Sequence, residues 1–186
     1  MKKEIPSTGY QTAIFAMGCF WCAEDEYRDG KTLEPIAGVI DIKSGYAGGT
    51  IENPSYENHP GYKEAIKIIF DPAVISYGKL LEIFWRNVDP FDATGQFCDK
   101  GFSYTSAIFY MDENQKNQAL ESMRATEKTL AENQKIATEI LPYTTFYDAE
   151  DYHQNFKKKS PIRYNYYRWN CGRDERLDEL WKNKDQ

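Results

Sequence analysis

Two histidines and four cysteines are all the imidazole and thiol ligands that 186 residues offer to a metal ion. Zinc sites usually pair two short Cys/His spacings. Only one such spacing exists, Cys19-x-x-Cys22, and His59 and His153 stand alone, reading as surface or polar-network residues. A metal-binding module is therefore a weak reading, and no metal is expected. Long apolar runs are also missing, since none approaches the ~18 residues that a membrane span requires. Basic charge is in deficit, with 23 Lys and Arg against 29 Asp and Glu and a net charge of −6. That balance gives no footprint for nucleic acid, which calls for a basic face, and Lys157-Lys158-Lys159 reads as a solvated face. After Met1-Lys2-Lys3, the polar "EIPSTGYQT" stands where a signal peptide would place its apolar region, so a cytoplasmic location with free thiols is expected.

What is present is an ordinary globular composition, 41% hydrophobic and 28% charged, on a chain long enough to bury a core without staples. Helical and strand periods alternate without repeats or low-complexity linkers, which points to one α/β or α+β domain. Residues 13–17 read as a buried strand and 19–29 as a helix opening just after Gly18. A strand over 36–46 leads into a loop, "AGGTIENPSYENHPGY", whose Gly, Pro and Asn break any period. In "EAIKIIF", alternation puts Glu64 on one face with Ile66, Ile68 and Phe70. Ser76 is a plausible N-cap for a helix over 76–88 with the stripe Leu80, Leu81, Phe84, Trp85 and Val88, stopped by Asp89-Pro90. A loop over 91–103 carries Cys98 and Asp99, and "SYTSAIFYM" reads as a strand. A helix over 113–131 would turn Leu120, Met123, Glu127 and Leu130 to one side. A strand near 136–141 and a short helix near 149–158 precede a polar, aromatic-rich tail with Cys171.

The stretch "AIFAMGCFWCAEDEY" carries the chemistry. A strand that turns at Gly18 into a helix puts Cys19 at a helix N-terminus, where unpaired N–H groups and the dipole favour an anion and lower a thiol's pKa. Glu24, Asp25 and Glu26 oppose this, so a modest net depression is expected. Phe20 and Trp21 supply an apolar wall beside the sulfur. Read alone, the same residues could equally be core aromatics with inert buried cysteines.

In order, "GCFW", "GYAGG", "NPSYE", "GYKEA", "FDPAVISYGKLLEIFW", "DP" and "YTSAIF" resemble the A-type peptide methionine sulfoxide reductases over about residues 13–156. The resemblance implies reduction of methionine S-sulfoxide, free or in proteins, by a cysteine nucleophile without metal or organic cofactor, in the repair of oxidative damage. It implies an α+β fold: a single two-layer α/β domain with a mixed sheet, a ferredoxin-like core over about 10–158 and a long coil-rich C-terminal tail over 159–186. A monomer is expected, with thioredoxin or a similar dithiol as reductant.

By the same resemblance Cys19 is the nucleophile, and Phe20 and Trp21 form the pocket for the substrate's methyl group. Glu64 is the acid, which fits the apolar face that alternation gave it. Tyr56 and Tyr104 are the sulfoxide-side phenols, and Asp99 is an aspartate near the site. The family usually reads "GHAEA" where this chain has "GYKEA". Tyr62 and Lys63 therefore replace His and Ala, while Cys98 and Thr105 replace Asn and Arg near Asp99. For the thiol that resolves a Cys19 sulfenic acid, Cys171 is favoured because family members often recruit a C-terminal cysteine. Cys22 is the alternative, and Cys22 and Cys98 are otherwise expected as packing or backup thiols. A general thiol–disulfide oxidoreductase built on Cys19-x-x-Cys22 is the rival enzyme reading.

Overall fold

The structure, a computed structural model, describes residues 9–29, 34–130, 134–182 and 184. Strand β1 (Gln11–Ala16) is apolar and buried from Ala13 onward and pairs antiparallel with β3 (Lys63–Phe70) and with β6 (Ala107–Tyr110). Burial on both sides explains its unbroken hydrophobic run. β2 (Val39–Ala47) lies antiparallel to β3 on the other side, giving the run β6-β1-β3-β2. Helix α1 (Phe20–Arg28) connects β1 to β2. Helix α2 (Tyr77–Arg86) follows β3 and precedes β6. The sheet is extended by β7 (Glu139–Pro142), parallel to β6, and by β8 (Phe146–Asp148), antiparallel to β2. The result is a mixed six-stranded sheet with helices, an α+β architecture. No helix among the described residues is long and apolar enough to cross a membrane.

Each face of the sheet follows from strand alternation. Phe15, Ile66, Ile68 and Phe70 share the main core with Tyr27 of α1 and Leu80, Leu81 and Phe84 of α2. The opposite face carries smaller side chains, Ala16, Ala47, Ala65 and Ala107, around Ile14 and Phe109. Ser76 caps α2 as expected, its hydroxyl accepting the Lys79 N–H at 3.1 Å. In α3 (Glu113–Leu130) the buried stripe is Gln115, Ala119, Thr126 and Leu130, with Met123 packed beside it. Glu127, expected on that side, is exposed.

Several segments depart from the sequence expectations. The 91–103 loop holds a two-residue hairpin, β4 (Gly95–Gln96) against β5 (Asp99–Lys100), then a 3-10 turn over Phe102–Tyr104. "SYTSAIFYM" is thus a strand only from Ala107. The segment near 149–158 holds mostly turns before the single-turn helix α4 (Phe156–Lys159). The expected coil tail is helical: α5 (Pro161–Asn170) and α6 (Arg173–Trp181).

What holds this segment down is written in α1. Glu24, Asp25 and Glu26 are all nearly buried. Each has partners: Glu24 accepts from Arg28 and the Asn155 N–H, Asp25 from Lys157 and the Tyr164 hydroxyl, and Glu26 pairs with Arg168 at 2.6 Å. Such contacts persist in a buried setting only because both charges are matched. The guanidinium of Arg173, also buried, donates to the carbonyls of Met17 and Asn87, both at 2.8 Å.

Gly18 makes the turn from β1 into α1 with φ +78°, a conformation that favours glycine. A Cβ there would stand 2.6 Å from Cβ of Gln96. Gln96 cannot yield easily, because its amide is locked to the N–H and C=O of Asp89. Gly18→Ala is therefore expected to destabilise the fold by roughly 2–4 kcal/mol, combining left-handed strain with overpacking. Urea unfolding followed by tryptophan fluorescence would read this as a lower midpoint with an unchanged slope.

Candidate active site

Cys19 is the N-cap of α1 and contributes no side-chain cap; its carbonyl accepts the Ala23 N–H. The first free N–H of the helix, that of Phe20, donates instead to Oε2 of Glu64 at 3.0 Å. β3 thus delivers a carboxyl to the start of α1, a placement that helix N-termini favour. Glu64 is only 2% exposed. Burial pushes its pKa up to about 8, against the opposing Phe20 N–H, with nearby Asp99 and Cys22 adding to the rise. At neutral pH the carboxyl holds a proton.

A small cavity of about 50 Å³ gathers Cys19, Phe20, Trp21, Tyr56, Glu64, Asp99, Tyr104 and Tyr167. Seven of these eight are the catalytic and substrate-side residues expected from the sequence; Tyr167 is new. Larger clefts of about 580, 900 and 340 Å³ lie elsewhere. The first shares only Trp21 with the site, the other two nothing, and none of the three holds a thiol. Trp21 is fixed by stacking on Phe156 at 3.7 Å and by its indole N–H donating to Nδ1 of His153 at 2.9 Å. His153 is buried, desolvation lowering its pKa against the nearby Glu150 charge, and it also packs on Phe20 and Tyr56. It is a scaffold for the apolar wall. His59 donates from Nδ1 to the Ser55 carbonyl at 2.8 Å and stacks on Tyr46.

The Tyr104 hydroxyl donates to that of Tyr56, and burial raises both phenols, so each keeps its proton. The Tyr56 loop is anchored by Glu150, which accepts the Tyr56 N–H at 2.9 Å and the Tyr46 hydroxyl at 2.8 Å. Asp99 accepts a hydrogen bond from the Tyr167 hydroxyl, and burial raises its pKa. The replaced residues have clear places. Tyr62 is buried with its hydroxyl on the Ile51 carbonyl, its ring filling the space a Cβ on Gly49 would need. Lys63, on the sheet face opposite Glu64, is bonded to Thr105 and to Glu139 and lies 4.3 Å over the Phe102 ring. A cation thus holds the turn that carries Tyr104.

The cysteines differ from expectation in two ways. Burial pushes the Cys19 thiol up, reinforced by Cys22 and Glu64, where a modest depression was expected. Its neighbour falls: the hydrogen bond from Cys19 brings Cys22 down to about 7, with burial opposing and Arg173 and Arg168 assisting. The two sulfurs titrate as a pair, and the thiolate character that enters near neutrality is favoured on Cys22. Secondly, Cys98 and Cys171 form a disulfide. The expectation of four free thiols therefore fails, and Cys98 is not a spare packing thiol. Only Cys19 and Cys22 are free. Cys98, Asp99 and Cys171 cluster tightly enough to suggest a metal, but the two sulfurs are joined to each other.

Tyr167, Phe156 and Glu150 carried no sequence signal for the site beyond the tail's density of aromatics, and His153, expected as a surface or polar-network residue, is buried and accepts the Trp21 indole N–H.

A family model described as peptide methionine sulfoxide reductase matches residues 11–185. The chain is 43% identical over 178 residues to peptide methionine sulfoxide reductase MsrA of Bacillus licheniformis, covering 94% of this chain and 95% of that one. It is 40% identical over 179 residues to the MsrA/MsrB protein of Vibrio cholerae, of which it spans 46% while 94% of this chain is covered. Among solved structures, reduced Mxr1 of Saccharomyces cerevisiae superposes with a TM-score of 0.77 at 29% identity, over 87% of this chain and 92% of that one. The yeast protein is also known in complex with Trx2, with a TM-score of 0.59 at 23% identity over 83% of this chain and 90% of that one.

A stability signature follows from Glu64. Below about pH 4 both folded and unfolded chains carry its proton, and its contribution is fully present. As pH rises toward 8 the unfolded chain releases that proton and the folded chain does not, so stability falls, by an amount on the order of 4–5 kcal/mol for this carboxyl alone. Glu64→Gln should therefore leave stability nearly unchanged at pH 4 and raise the midpoint of unfolding at pH 8. An equal effect at both pH values would show that the carboxyl is not held protonated.

Proposed function

Because the chain belongs to the peptide methionine sulfoxide reductase family, we propose that it reduces methionine S-sulfoxide, in proteins and as the free amino acid, to methionine. The observation that carries this reading is the single small cavity in which a thiol, an aromatic wall, a protonated carboxyl and two phenols converge. A sulfoxide presents a polar S–O and a small methyl, and needs a donor for one and an apolar slot for the other.

In the proposed sequence Cys19 gives up its proton and its thiolate attacks the sulfoxide sulfur, while Phe20 and Trp21 hold the methyl group. Glu64 protonates the oxygen as general acid, with the Tyr56 and Tyr104 phenols donating to it and Asp99 holding the surrounding hydrogen bonds. Methionine leaves, and Cys19 retains the oxygen as a sulfenic acid. A second thiol then attacks that sulfur, water departs and a disulfide forms.

For that second thiol we assign Cys22 in place of the Cys171 favoured from sequence. Cys22 is in hydrogen-bond contact with Cys19 and has thiolate character near neutrality, while Cys171 is bonded to Cys98. Thioredoxin would return two electrons by thiol–disulfide exchange, a partner suggested by the yeast relative's complex with Trx2. We read the β1-α1-β2-β3-α2-β6 core as ferredoxin-like, from its β6-β1-β3-β2 order with antiparallel neighbours throughout. The remaining parts of the proposal are a single catalytic domain over 1–186, working as a monomer in the cytoplasm without metal or organic cofactor. In that compartment an exposed disulfide is one that turns over.

The test is turnover of the two resolved sulfoxide epimers with thioredoxin, with thiols counted before and after one equivalent of substrate. Only the S epimer should react, consistent with one enzyme per epimer, and Cys19→Ser should abolish the reaction with the fold intact. Equal rates on both epimers, or faster reduction of insulin disulfides than of sulfoxide, would overturn the assignment.

Glu64→Gln should slow the methionine burst by roughly 10²–10⁴-fold, the scale of lost general-acid help. It should also remove a basic limb in the wild-type profile near pH 8. Cys22→Ser should still release one methionine per enzyme and then stall, with a dimedone-trappable sulfenic acid on Cys19. Normal cycling by Cys22→Ser together with stalling by Cys171→Ser would return the resolving role to Cys171.

A further inference from the structure

The Cys98–Cys171 disulfide lies beside the site, and the chemistry above does not use it. Cys98 immediately precedes Asp99, and Cys171 caps α5 one turn after Tyr167, its N–H donating to the Tyr167 carbonyl at 2.9 Å. The Tyr167 hydroxyl crosses back to donate to Asp99, and Tyr167 lines the same small cavity as Cys19. Both bonded sulfurs are within 4.8 Å of the Asp99 carboxylate. Covalent bonds and hydrogen bonds thus form a small closed circuit: Asp99, Cys98, Cys171, Tyr167 and back to Asp99. The Arg173 guanidinium over the Phe97 ring is a second tie between the same two segments.

The two cysteine pairs also differ in access. Cys98 is exposed and Cys171 half-buried, whereas Cys19 and Cys22 are 5% and 1% exposed. A solution oxidant or reductant meets the outer pair first.

We propose that the Cys98–Cys171 bond is a redox-sensitive positioning element of the reductase site: closed, it holds Tyr167 against Asp99 and Cys19, and opened, it releases that wall and slows sulfoxide reduction. The inference rests on the reductase reading above. A dithiol opens the bond, becoming a disulfide while Cys98 and Cys171 each take up one electron and one proton. A peroxide closes it: one thiolate attacks a peroxide oxygen and becomes a sulfenic acid, and the other thiol displaces water, so that two thiols and hydrogen peroxide give the disulfide and two waters. Peroxides also generate methionine sulfoxide, so the site tightens under the conditions that make its substrate. Tyr167 acts through its single O–H: donated to Asp99 it fixes the carboxylate side of the cavity, and turned to the Cys19 sulfur as that sulfur ionises it favours the thiolate.

The experiment compares full-length wild-type protein in two states, one with all four thiols reduced and one with the outer pair closed by stoichiometric peroxide. Thiol counting and peptide mapping verify both. Methionine release in a single turnover without reductant is then followed across pH. Since no recycling occurs, the identity of the resolving thiol does not enter.

The closed form should react about tenfold faster, the scale of one hydrogen bond to a charged group, with its acid limb at lower pH than in the open form. Cys98→Ser combined with Cys171→Ser should match the open wild type under both treatments. Tyr167→Phe should abolish the difference between the two states while keeping the disulfide. Coincident rates and pH profiles for closed and open wild type would overturn the proposal, and a difference that survives Tyr167→Phe would overturn the assignment to that phenol. Failure of both wild-type states to form methionine would instead overturn the reductase reading itself.

Discussion

Glu64 accepts the Phe20 N–H inside a water-poor seam between β3 and the start of α1. A helix N-terminus ordinarily holds an anion, and burial ordinarily removes one; here burial dominates and the carboxyl sits near 8. The bond joins the acid to the very turn that carries the nucleophile, so the distance between Cys19 and Glu64 is set by the sheet register that pairs Tyr46 with Glu64 and Phe15 with Ile66. Slipping β3 by one residue would send Glu64 to the face where Lys63 and Ala65 point. The site therefore depends on strand register as much as on the residues within it.

The second constraint is the charge pattern of α1. Three successive acids beside a reactive thiol would suppress its ionisation if they faced it. They turn instead toward the C-terminal helices, where Lys157, Tyr164 and Arg168 meet Asp25 and Glu26, while Glu24 accepts from Arg28 and the Asn155 N–H. The same contacts bring Tyr167 to the sulfur and Phe156 to Trp21. Arg173 and Arg168 then favour charge on Cys22, against the burial that opposes it. Electrostatic matching between two distant segments is what closes the cavity and poises the inner thiol pair.

Local pattern was enough to determine much of this. β1, β3, α2 and α3 follow from apolar runs, alternation, a serine cap and a proline stop, because each is specified by neighbours a few residues away. Glu64 was legible for the same reason: alternation alone put it on the face of Ile66, Ile68 and Phe70. Cys19 at a helix start followed from Gly18, whose left-handed turn only glycine makes comfortably.

Tertiary structure decided the rest. The pairing of Cys98 with Cys171 joins positions 73 residues apart, and no spacing in a four-cysteine chain selects one connectivity over another. The direction of the Cys19 shift differs from the expectation because helix position is local whereas burial is not; desolvation pushes the thiol up, with Cys22 and Glu64 adding to it, in a cluster that includes Phe156 and Tyr164. Tyr167, His153 and Lys63 carry no periodic signal, since each matters only for what the folded chain brings against it: a sulfur, an indole N–H, and the turn beside Tyr104. Sequence by itself determined which elements form and which thiol heads a helix. Only the packed fold decided which groups share a proton, which sulfurs are bonded and which phenols reach the nucleophile, because those depend on distances between segments that the chain's order does not encode.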